Sequence, residues 1–345
     1  MNNTDEFLKL SEVLSLKLNN LKNKNILITG ATGLIGSYLL KYLTFLNNNN
    51  GYNINIHVIT RKKNKAKVIL GLNDENIIER DLNEYFKIDY KYDYVIHLAS
   101  NAHPIAFSTD PVGTMKTNLL ATMCLLDSIK NTNTKFLYAS SGEIYGNNSD
   151  HYFKEDDIGT IDNTKIRSCY PESKRAAETL CLAYNKQFNQ KINILRLCYI
   201  YGSTITDDNS RADAQFLRNA INGEDIVLKS KGLQKRTYCY VADAVGALLH
   251  ILINDFDGEI FNIANPDSIA SVYEYAKTLA QIANVNIKFE LPDEIEKRGY
   301  SKQADSVLDA SKLINSGFKP IYSLKEGLYR TYLFKKQNLR ANTKG

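Results

Sequence analysis

The sequence lacks the features that mark several large classes of proteins. Its 345 residues contain no run of about 18 apolar residues, so we expect no membrane-spanning helix. Residues 1–24 are polar and rich in asparagine, lysine and leucine, without the apolar core or cleavage site of a signal peptide. The five cysteines form no Cys-x-x-Cys pair, and the five histidines show no metal-ligand spacing. These absences favour a cytoplasmic protein with reduced thiols and no metal.

Charge and composition limit the possible partners of the protein and the size of its core. The net charge of +5 is mild, and the lysines are spread along the chain, so we expect neither nucleic acid nor a membrane as partner. With 43% apolar residues the chain can bury a large core, in one large domain or two smaller ones. Leucines near the N-terminus are spaced as in an amphipathic helix that precedes the first strand. They lie, with one valine, at Leu8, Leu10, Val13, Leu14, Leu16 and Leu18.

The first half of the chain alternates short apolar runs with helical patterns. The predicted strands cover 25–29, 54–60, 76–79, 94–98, 135–139 and 192–197, and the predicted helices cover 35–46, 111–130 and 170–188. Continuous apolar runs are typical of parallel strands that are covered on both faces. The alternation therefore predicts an α/β fold with a Rossmann-like doubly wound parallel sheet and right-handed crossovers.

After about residue 200 the pattern loosens into helices mixed with short strands. We predict helices at 212–222, 241–253 and 272–283 and strands at 226–229 and 259–263. The expected domains are an N-terminal helical extension (1–23), a dinucleotide-binding domain (24–198) and, mainly in 199–345, a smaller substrate-binding cap. Parts of 235–265 are expected to complete the sheet. The run 47–51, Asn-Asn-Asn-Asn-Gly, is predicted to be a polar loop.

A glycine-rich turn follows the first predicted strand and opens a helix. Gly30 permits a tight turn, Gly33 lets the backbone approach a pyrophosphate, and Gly36 lets the helix pack on the strand. Amides at the helix N-terminus would then face the phosphates. The turn predicts a bound nicotinamide dinucleotide. Its expected contacts are Gly30, Thr32, Gly33, Leu34, Ile35 and Gly36.

The following strands predict the remaining cofactor contacts. The second strand ends at Arg61-Lys62-Lys63, where NAD-binding folds usually place an acid for the ribose 2′-hydroxyl. Cations there would suit a 2′-phosphate, so NADP is the alternative to the predicted NAD. After the third strand an acid is placed to meet the adenine, and backbone after the fourth strand would pass beside the cofactor. The contacts predicted here are Arg61, Asp81, Leu82, Leu98, Ala99 and Ser100.

The motif Tyr170-x-x-x-Lys174, with Ser141 upstream, predicts oxidation or reduction at an alcohol carbon. A free tyrosine hydroxyl titrates near 10. Lys174 lies one helical turn away on the same face. Its charge, with that of the oxidised nicotinamide, is expected to lower the pKa of Tyr170 toward working pH. Tyr170 can then remove the alcohol proton while hydride leaves the same carbon.

At this point the chain resembles the extended short-chain dehydrogenase/reductases that act on nucleotide sugars, and most closely the UDP-glucuronate decarboxylases (UDP-xylose synthases). The resemblance runs from about Lys24 to about Lys335. The stretches that carry it are 167–179, 208–211, 233–243 and 262–266. It implies a tightly held nicotinamide cofactor and a dimer formed through the Tyr-x-x-x-Lys helix and its neighbour.

The same resemblance implies roles for single residues. Ser141 would hydrogen-bond the sugar hydroxyl, Tyr170 would be the base, and Lys174 would hold the nicotinamide ribose and tune Tyr170. Arg236 would meet a substrate phosphate or carboxylate. His103, after the fourth strand, is expected to line the sugar pocket, and Arg211 to contact the nucleotide.

The two residues after Ser141 distinguish the reactions of this family. A 4,6-dehydratase has Asp-Glu there, whereas this chain has Gly142-Glu143, so the acid that protonates the leaving hydroxyl is absent. Decarboxylases resemble the chain better, and simple 4-epimerases usually lack the glutamate. Three features depart from the family pattern: Tyr199 stands where an asparagine that contacts phosphate is frequent, Ser203 stands where a proline is usual, and the acid after the second strand is missing.

The sequence therefore predicts a nucleotide-sugar enzyme that oxidises C4 of the sugar. The preferred hypothesis is a UDP-glucuronate-type decarboxylase. The expected partners are a nucleotide sugar, UDP-linked by preference, and a second copy of the chain. The alternatives are a 4-epimerase, a 4-dehydrogenase or reductase, and a 4,6-dehydratase. A binding protein that senses a dinucleotide without catalysis is the alternative outside enzymology.

Overall fold

Continuous apolar runs of the sequence become the strands of a parallel sheet in the computed structural model, which describes residues 4–146, 151–206, 209–290 and 304–342. The strands within these ranges are β1 (Asn25–Thr29), β2 (Asn55–Thr60), β3 (Ile77–Glu79), β4 (Tyr94–His97), β5 (Lys135–Ser141), β6 (Ile192–Leu197), β7 (Tyr199–Tyr201), β8 (Ile226–Leu228), β9 (Lys235–Tyr240), β10 (Glu259–Ile263), β11 (Ile269–Ser271) and β12 (Ile287–Phe289).

The α-helices of the same ranges flank these strands. They are α1 (Thr4–Leu14), α2 (Leu34–Asn50), α3 (Lys63–Leu70), α4 (Pro104–Thr109), α5 (Pro111–Ile129), α6 (Cys169–Phe188), α7 (Ala212–Asn222), α8 (Val241–Ile253), α9 (Val272–Ala283), α10 (Ser311–Asn315) and α11 (Leu324–Asn342). None of these helices combines the length and the apolar character that crossing a membrane requires.

Seven strands form the central sheet, in the order β10-β6-β5-β4-β1-β2-β3, and every neighbouring pair is parallel. The central strand β5 is buried at every residue, as expected when helices cover both faces. The predicted Rossmann-like parallel sheet is confirmed. The chain runs outward from β1 to β3 and returns to β4 on the other side of β1, so the strand order reverses there. Ligands of such sheets bind at the carboxyl ends of the strands beside this reversal.

The segments after residue 198 build two small sheets beside the central one. One has the order β11-β9-β7, and the other pairs β12 with β8. Within 235–265, β10 joins the central sheet next to β6, whereas β9 belongs to the three-stranded sheet. Strand β7 follows directly on the carboxyl end of β6, so the three-stranded sheet begins at the carboxyl edge of the central sheet. The boundary between a cofactor domain and a substrate cap stays a prediction.

Most predicted elements lie within a few residues of their observed positions. The strands at 25–29, 192–197 and 259–263 and the helices at 212–222, 241–253 and 272–283 match at both ends. The sequence did not predict helices α3, α4, α10 and α11 or strands β7, β9, β11 and β12. The polar-loop prediction for 47–51 is wrong, because α2 continues through Asn50 and ends at Gly51, whose φ is 62°. The Asn47 side chain stabilises this turn by bonding both the N–H and the carbonyl of Ile54.

The N-terminal amphipathic helix is present as α1 and packs on the body of the protein. It is followed by a 3₁₀ segment over Ser15–Leu21, and the side chain of Leu16 lies outside the described parts. The buried Glu6 carboxylate accepts hydrogen bonds from Tyr38 at 2.7 Å, Tyr240 at 3.0 Å and Arg330 at 3.4 Å. These partners come from α2, β9 and α11, so α1 connects the N-terminal and C-terminal halves.

Candidate active site

The glycine turn lies at the carboxyl end of β1, against the end of β4. Gly30 has a φ of +72°, and a Cβ added to it would lie 2.7 Å from the Ala99 nitrogen, so only glycine fits. A Cβ on Gly36 would overlap the Gly30 carbonyl oxygen. At Gly33 the nearest atom to an added Cβ is Gly30 O at 3.3 Å, and the remaining space is open. The turn therefore exposes backbone at the N-terminus of α2, which fits a pyrophosphate.

Hydrogen bonds fix the backbone after β4 beside this turn. The Thr29 hydroxyl lies 2.6 Å from His97 Nδ1 and accepts from the Ala99 N–H at 3.2 Å. Burial lowers the pKa of His97 to about 3, so its ring is neutral near neutral pH. The segment Leu98–Ser100, which sequence reasoning assigned to the cofactor, is thus held against β1.

A second chain of hydrogen bonds joins this segment to α6. Ser100 Oγ donates to Asn118 Oδ1 at 2.8 Å, and Asn118 Nδ2 donates to Ser173 Oγ at 2.9 Å. Ser173 Oγ in turn donates to the Tyr170 carbonyl at 2.9 Å. Because Asn118 is fully buried, these bonds tie the backbone beside the glycine turn to the helix that carries Tyr170 and Lys174.

The adenosine end of the predicted cofactor site is more open. Arg61 is exposed at the end of β2, where α3 begins two residues later. Asp81 is exposed and accepts a hydrogen bond from the Asn83 N–H at 2.9 Å, while Leu82 is buried in the core. The neighbouring acid, Glu79, accepts from the Lys63 N–H at 3.1 Å. The residues present therefore fit a dinucleotide at the pyrophosphate, and offer it a cation and a carboxylate at the far end.

Tyr170 lies near the start of α6 with its ring covered. Only 6% of it is exposed, and its ring stacks on Phe107 at a centroid distance of 4.7 Å. The side chain of Ser141, the last residue of β5, lies near enough to its hydroxyl to influence its pKa. Burial raises the pKa of Tyr170 above its ordinary value of 10, and Glu143 adds to this, while Ser141 and nearby arginines oppose it.

Lys174 is also buried, with 2% of its surface exposed, and its Nζ donates to the Ala139 carbonyl at 2.6 Å. Nζ also lies 4.8 Å from the centre of the Tyr138 ring. Burial lowers the pKa of Lys174 to about 7. Without a bound cofactor, desolvation outweighs the nearby cations at Tyr170. That Lys174 and the oxidised nicotinamide together lower the pKa of Tyr170 stays a prediction. A bound cationic nicotinamide ring would add charge that favours the phenolate.

Ser141 ends β5, and the chain turns there into a short 3₁₀ helix, Gly142–Tyr145. Ser141 Oγ accepts from the Glu143 N–H at 3.2 Å. The Glu143 carboxylate is one-third exposed and receives a 2.7 Å hydrogen bond from Arg167 Nη2. The Arg167 guanidinium also lies 4.8 Å from the centre of the Phe107 ring. Glu143 and Arg167 thus form an ion pair beside the stacked rings of Phe107 and Tyr170.

The C-terminal segments bring two more cations together around Tyr199. The guanidinium of Arg236, on β9, lies 4.2 Å from the centre of the Tyr199 ring, and that of Arg211 lies 5.7 Å from it. Arg211 also donates to Asp213 at 2.9 Å and to the Ile200 carbonyl at 3.4 Å. His103 lies apart from this cluster, at the N-cap of α4, and its buried Nδ1 has no hydrogen-bond partner among the residues described.

The side chains around Tyr170 and Tyr199 thus form two groups. We call Ser141, Tyr170 and Lys174 the floor, and Glu143, Arg167, Tyr199, Arg211 and Arg236 the wall. Sequence reasoning missed the contacts of Phe107, Arg167 and Tyr199. Arg167 stands three residues before Tyr170, which is a signal that could have been used, whereas nothing local marks Phe107 as the stacking partner of Tyr170.

Fold and site together define a class of enzyme. A parallel dinucleotide-binding sheet that places a Ser, Tyr and Lys at its carboxyl edge is the arrangement of the short-chain dehydrogenases/reductases. The model of the NAD-dependent epimerase/dehydratase family matches residues 26–264, more than half of the chain. The chain belongs to the NAD-dependent epimerase/dehydratase family. The predicted nicotinamide cofactor is thereby confirmed as NAD.

Individual relatives agree with this assignment. UDP-glucuronic acid decarboxylase 5 of Arabidopsis thaliana is 32% identical over 306 residues, covering 89% of this chain and 87% of the relative. The crystal structure of UDP-glucose 4-epimerase from Thermotoga maritima is 25% identical with a TM-score of 0.77, covering 91% and 99% of the two chains. UDP-glucuronic acid 4-epimerase from Bacillus cereus, solved with UDP-glucuronic acid and NAD, is 25% identical with a TM-score of 0.72 and the same coverage.

Proposed function

We propose that the protein is a UDP-glucuronate-type decarboxylase that oxidises C4 of the sugar before carbon dioxide is lost. The curated relatives at about 30% identity that support this reading are named UDP-glucuronic acid decarboxylases. The single observation that carries the choice of reaction is the pair Gly142-Glu143 behind Ser141, with Glu143 held by Arg167 beside Tyr170.

The floor performs the first half of this reaction. Tyr170 removes the proton of the C4 hydroxyl, and Ser141, whose side chain lies near the Tyr170 hydroxyl, orients the C4 hydroxyl by hydrogen bonding to it. Lys174 lies one helical turn from Tyr170, where it can bind the ribose of the nicotinamide. When bound, NAD⁺ accepts hydride from C4 and later returns it. The 4-keto group makes the C5 carboxylate a β-keto acid, which loses carbon dioxide readily because the electrons left at C5 are delocalised onto the ketone.

The remaining predicted residues are assigned either to the cofactor or to the substrate. The pyrophosphate is held by the glycine turn with Thr32, Leu34 and Ile35. The nicotinamide side is lined by Leu98, Ala99 and Ser100. The adenosine end is lined by Arg61, Asp81 and Leu82. The wall and His103 face the substrate. Arg211 and Arg236 supply positive charge for the diphosphate of the nucleotide sugar. These assignments are supported by the sites' positions at the carboxyl edge of the sheet.

Gly142 argues against a 4,6-dehydratase on packing grounds. A Cβ at this position would lie 3.1 Å and 3.2 Å from the two methyl carbons of Leu308. The acid that a dehydratase needs there would therefore press on the apolar cluster around Leu308. Without it, no side chain at position 142 can protonate a leaving C6 hydroxyl.

A 4-epimerase is the second candidate, because two solved epimerases share the fold at 25% identity. Mass spectrometry of the nucleotide sugar, after incubation of the protein with UDP-glucuronate and NAD, distinguishes the reactions. A product lighter by carbon dioxide supports the decarboxylase. An unchanged mass with inverted C4 configuration, read by NMR, would replace it with the epimerase, and loss of two hydrogens would replace it with a dehydrogenase.

The proposed assembly is a homodimer through α5 and α6. On α5, Val112, Met115 and Met123 lie on one helical face and are exposed by 64%, 39% and 36%. Leu182 on the adjacent α6 is exposed by 38%. Such a face favours a partner. Light scattering should give the dimer mass for the wild type and the monomer mass for Met123→Glu; a monomeric wild type would contradict the dimer.

A further inference from the structure

The wall contains an aromatic side chain at a position where the sequence departs from its family. Tyr199 opens β7, three residues after the buried Arg196, and its ring is half-buried. Burial raises the pKa of Tyr199, with the charge of Arg236 opposing, so the phenol stays neutral at neutral pH. The ring therefore offers a neutral π-face, and no negative charge, to its neighbours.

Two guanidinium groups lie around this ring, and they are anchored unequally. Arg211 has fixed hydrogen bonds to Asp213 and to the backbone of Ile200. The guanidinium of Arg236 has no hydrogen-bond partner among residues 4–146, 151–206, 209–290 and 304–342. It contacts the Tyr199 ring, and its central carbon lies 4.2 Å from the ring centroid. The Arg236 side chain has many rotamers, and its guanidinium, with five free N–H donors, is positioned by the face of one aromatic ring.

The charges of the cluster indicate what these donors meet. Arg211 and Arg236 bring two positive charges, and Asp213, which is 10% exposed, compensates one of them. The net positive charge and the unpaired N–H donors of Arg236 suit an anion with several acceptor oxygens. A diphosphate meets both requirements.

We propose that Tyr199 is a positioning residue that holds the Arg236 guanidinium, beside Arg211, in place for the diphosphate of the substrate nucleotide. This inference rests on the proposed nucleotide-sugar function. The ring substitutes for a direct polar contact at its position: it restricts the rotamers of Arg236 before the ligand arrives, which lowers the entropic cost of binding.

Binding of UDP, measured by titration calorimetry, tests the proposal without requiring any chemical step. Tyr199→Phe keeps the aromatic face and should bind UDP within about twofold of wild type. Tyr199→Leu removes it and should weaken binding about tenfold, in the range expected for a cation–π contact. In turnover with UDP-glucuronate, Tyr199→Leu should raise KM by a similar factor and change kcat little.

A double-mutant cycle separates positioning from a loss of structure. If Tyr199 acts through Arg236, then Tyr199→Leu should cost nothing further in an Arg236→Ala background. Independent, additive losses would overturn the proposal, and so would equal UDP affinity of Tyr199→Leu and wild type. Tyr199→Met serves in place of Tyr199→Leu if thermal unfolding shows that the leucine variant is not folded. A wild type that binds no UDP would instead refute the proposed function, and the inference with it.

Discussion

The floor and the wall of the site are built in different ways. The floor side chains are nine-tenths buried or more and lie on β5 and α6, and two of them bond to backbone: Lys174 to the Ala139 carbonyl and Ser141 to the Glu143 N–H. The wall side chains are partly exposed and contact one another through ion pairs and ring contacts, as Glu143 does with Arg167.

We infer from the difference between the buried floor and the partly exposed wall which part of the site can vary among related enzymes. Side chains on helices and strands are held more precisely than side chains on loops, which suits the step that the floor performs, the oxidation of an alcohol. The wall comes from two 3₁₀ segments (Gly142–Tyr145 and Ile166–Ser168), the N-cap of α7 and the small β7-β9-β11 sheet, which can change without disturbing the parallel sheet. We therefore propose that the floor oxidises C4, that the Glu143–Arg167 pair of the wall determines the fate of the 4-keto sugar, and that the rest of the wall binds the nucleotide.

The largest effect is expected at the floor. Tyr170→Phe removes one hydroxyl and keeps the ring that stacks on Phe107, so the fold and NAD binding should persist while C4 oxidation falls about 10²–10⁴-fold. Steady-state turnover measures the loss. Tyr184→Phe, which removes the hydroxyl of another α6 tyrosine that donates to Asp127, is the matched control and should stay near wild type. A Tyr170→Phe variant with a tenth of wild-type activity would exclude this residue as the base.

The buried Lys174 predicts a pH-dependent stability. Its folded pKa of about 7 lies below the ordinary value of 10.5, so between these values the unfolded chain binds more protons than the folded one. This group's contribution to the free energy of unfolding therefore rises with pH across the window, by up to about 1.4 kcal/mol per pH unit. Lys174→Met should remove that slope in denaturant titrations between pH 7 and 9.5. Parallel curves for variant and wild type would show that Lys174 stays charged.

Gly142 joins the floor to the wall, and its substitution has an intermediate expected effect. Gly142→Asp should reduce the free energy of unfolding by about 1–3 kcal/mol, because the added Cβ presses on Leu308. Adding Leu308→Ala should recover part of the loss that the aspartate causes, measured against Leu308→Ala alone. If Gly142→Asp is as stable as wild type, the packing argument against a dehydratase fails.

The smallest effect is expected at Arg61, which is exposed at the far end of the cofactor site. Arg61→Ala should change NAD affinity by less than about fivefold, because exposed charge contacts contribute about 1 kcal/mol or less. Any NADP affinity should fall further. Fluorescence titration with both nucleotides measures this, and chromatography of nucleotide released from the denatured protein should give NAD. A purely NADP-bound protein would contradict the proposed internal redox cycle.

The floor could be predicted from sequence because its signals are local. Strand β5 was predicted over 135–139 from its apolar run, two residues short of Ser141. Tyr170 and Lys174 are spaced by one helical turn, so their side chains share a face wherever the helix lies. The titration of Lys174 could not be predicted, because its pKa depends on burial that only the packed sheet and helices create.

The wall could not be predicted in the same way. Arg167 reaches Glu143 across 24 residues of chain, and Arg236 reaches Tyr199 from another strand, through loops whose paths leave no periodic pattern. The sequence named Glu143, Arg211 and Arg236 as single residues but not the side chains that hold them. Tyr199 appeared only as a departure from the family pattern, and the structure supplied the contacts that suggest its purpose.

The division of labour is tested most directly by Glu143→Gln, which removes a wall charge and leaves the floor intact. In rapid mixing with UDP-glucuronate, the account predicts a first hydride transfer near the wild-type rate, followed by accumulation of enzyme-bound NADH, seen by its near-ultraviolet absorbance. Mass spectrometry of the quenched mixture should find a 4-keto sugar that retains its carboxyl carbon. Unchanged turnover to the wild-type product would contradict the account, because Glu143 would then play no part after C4 oxidation.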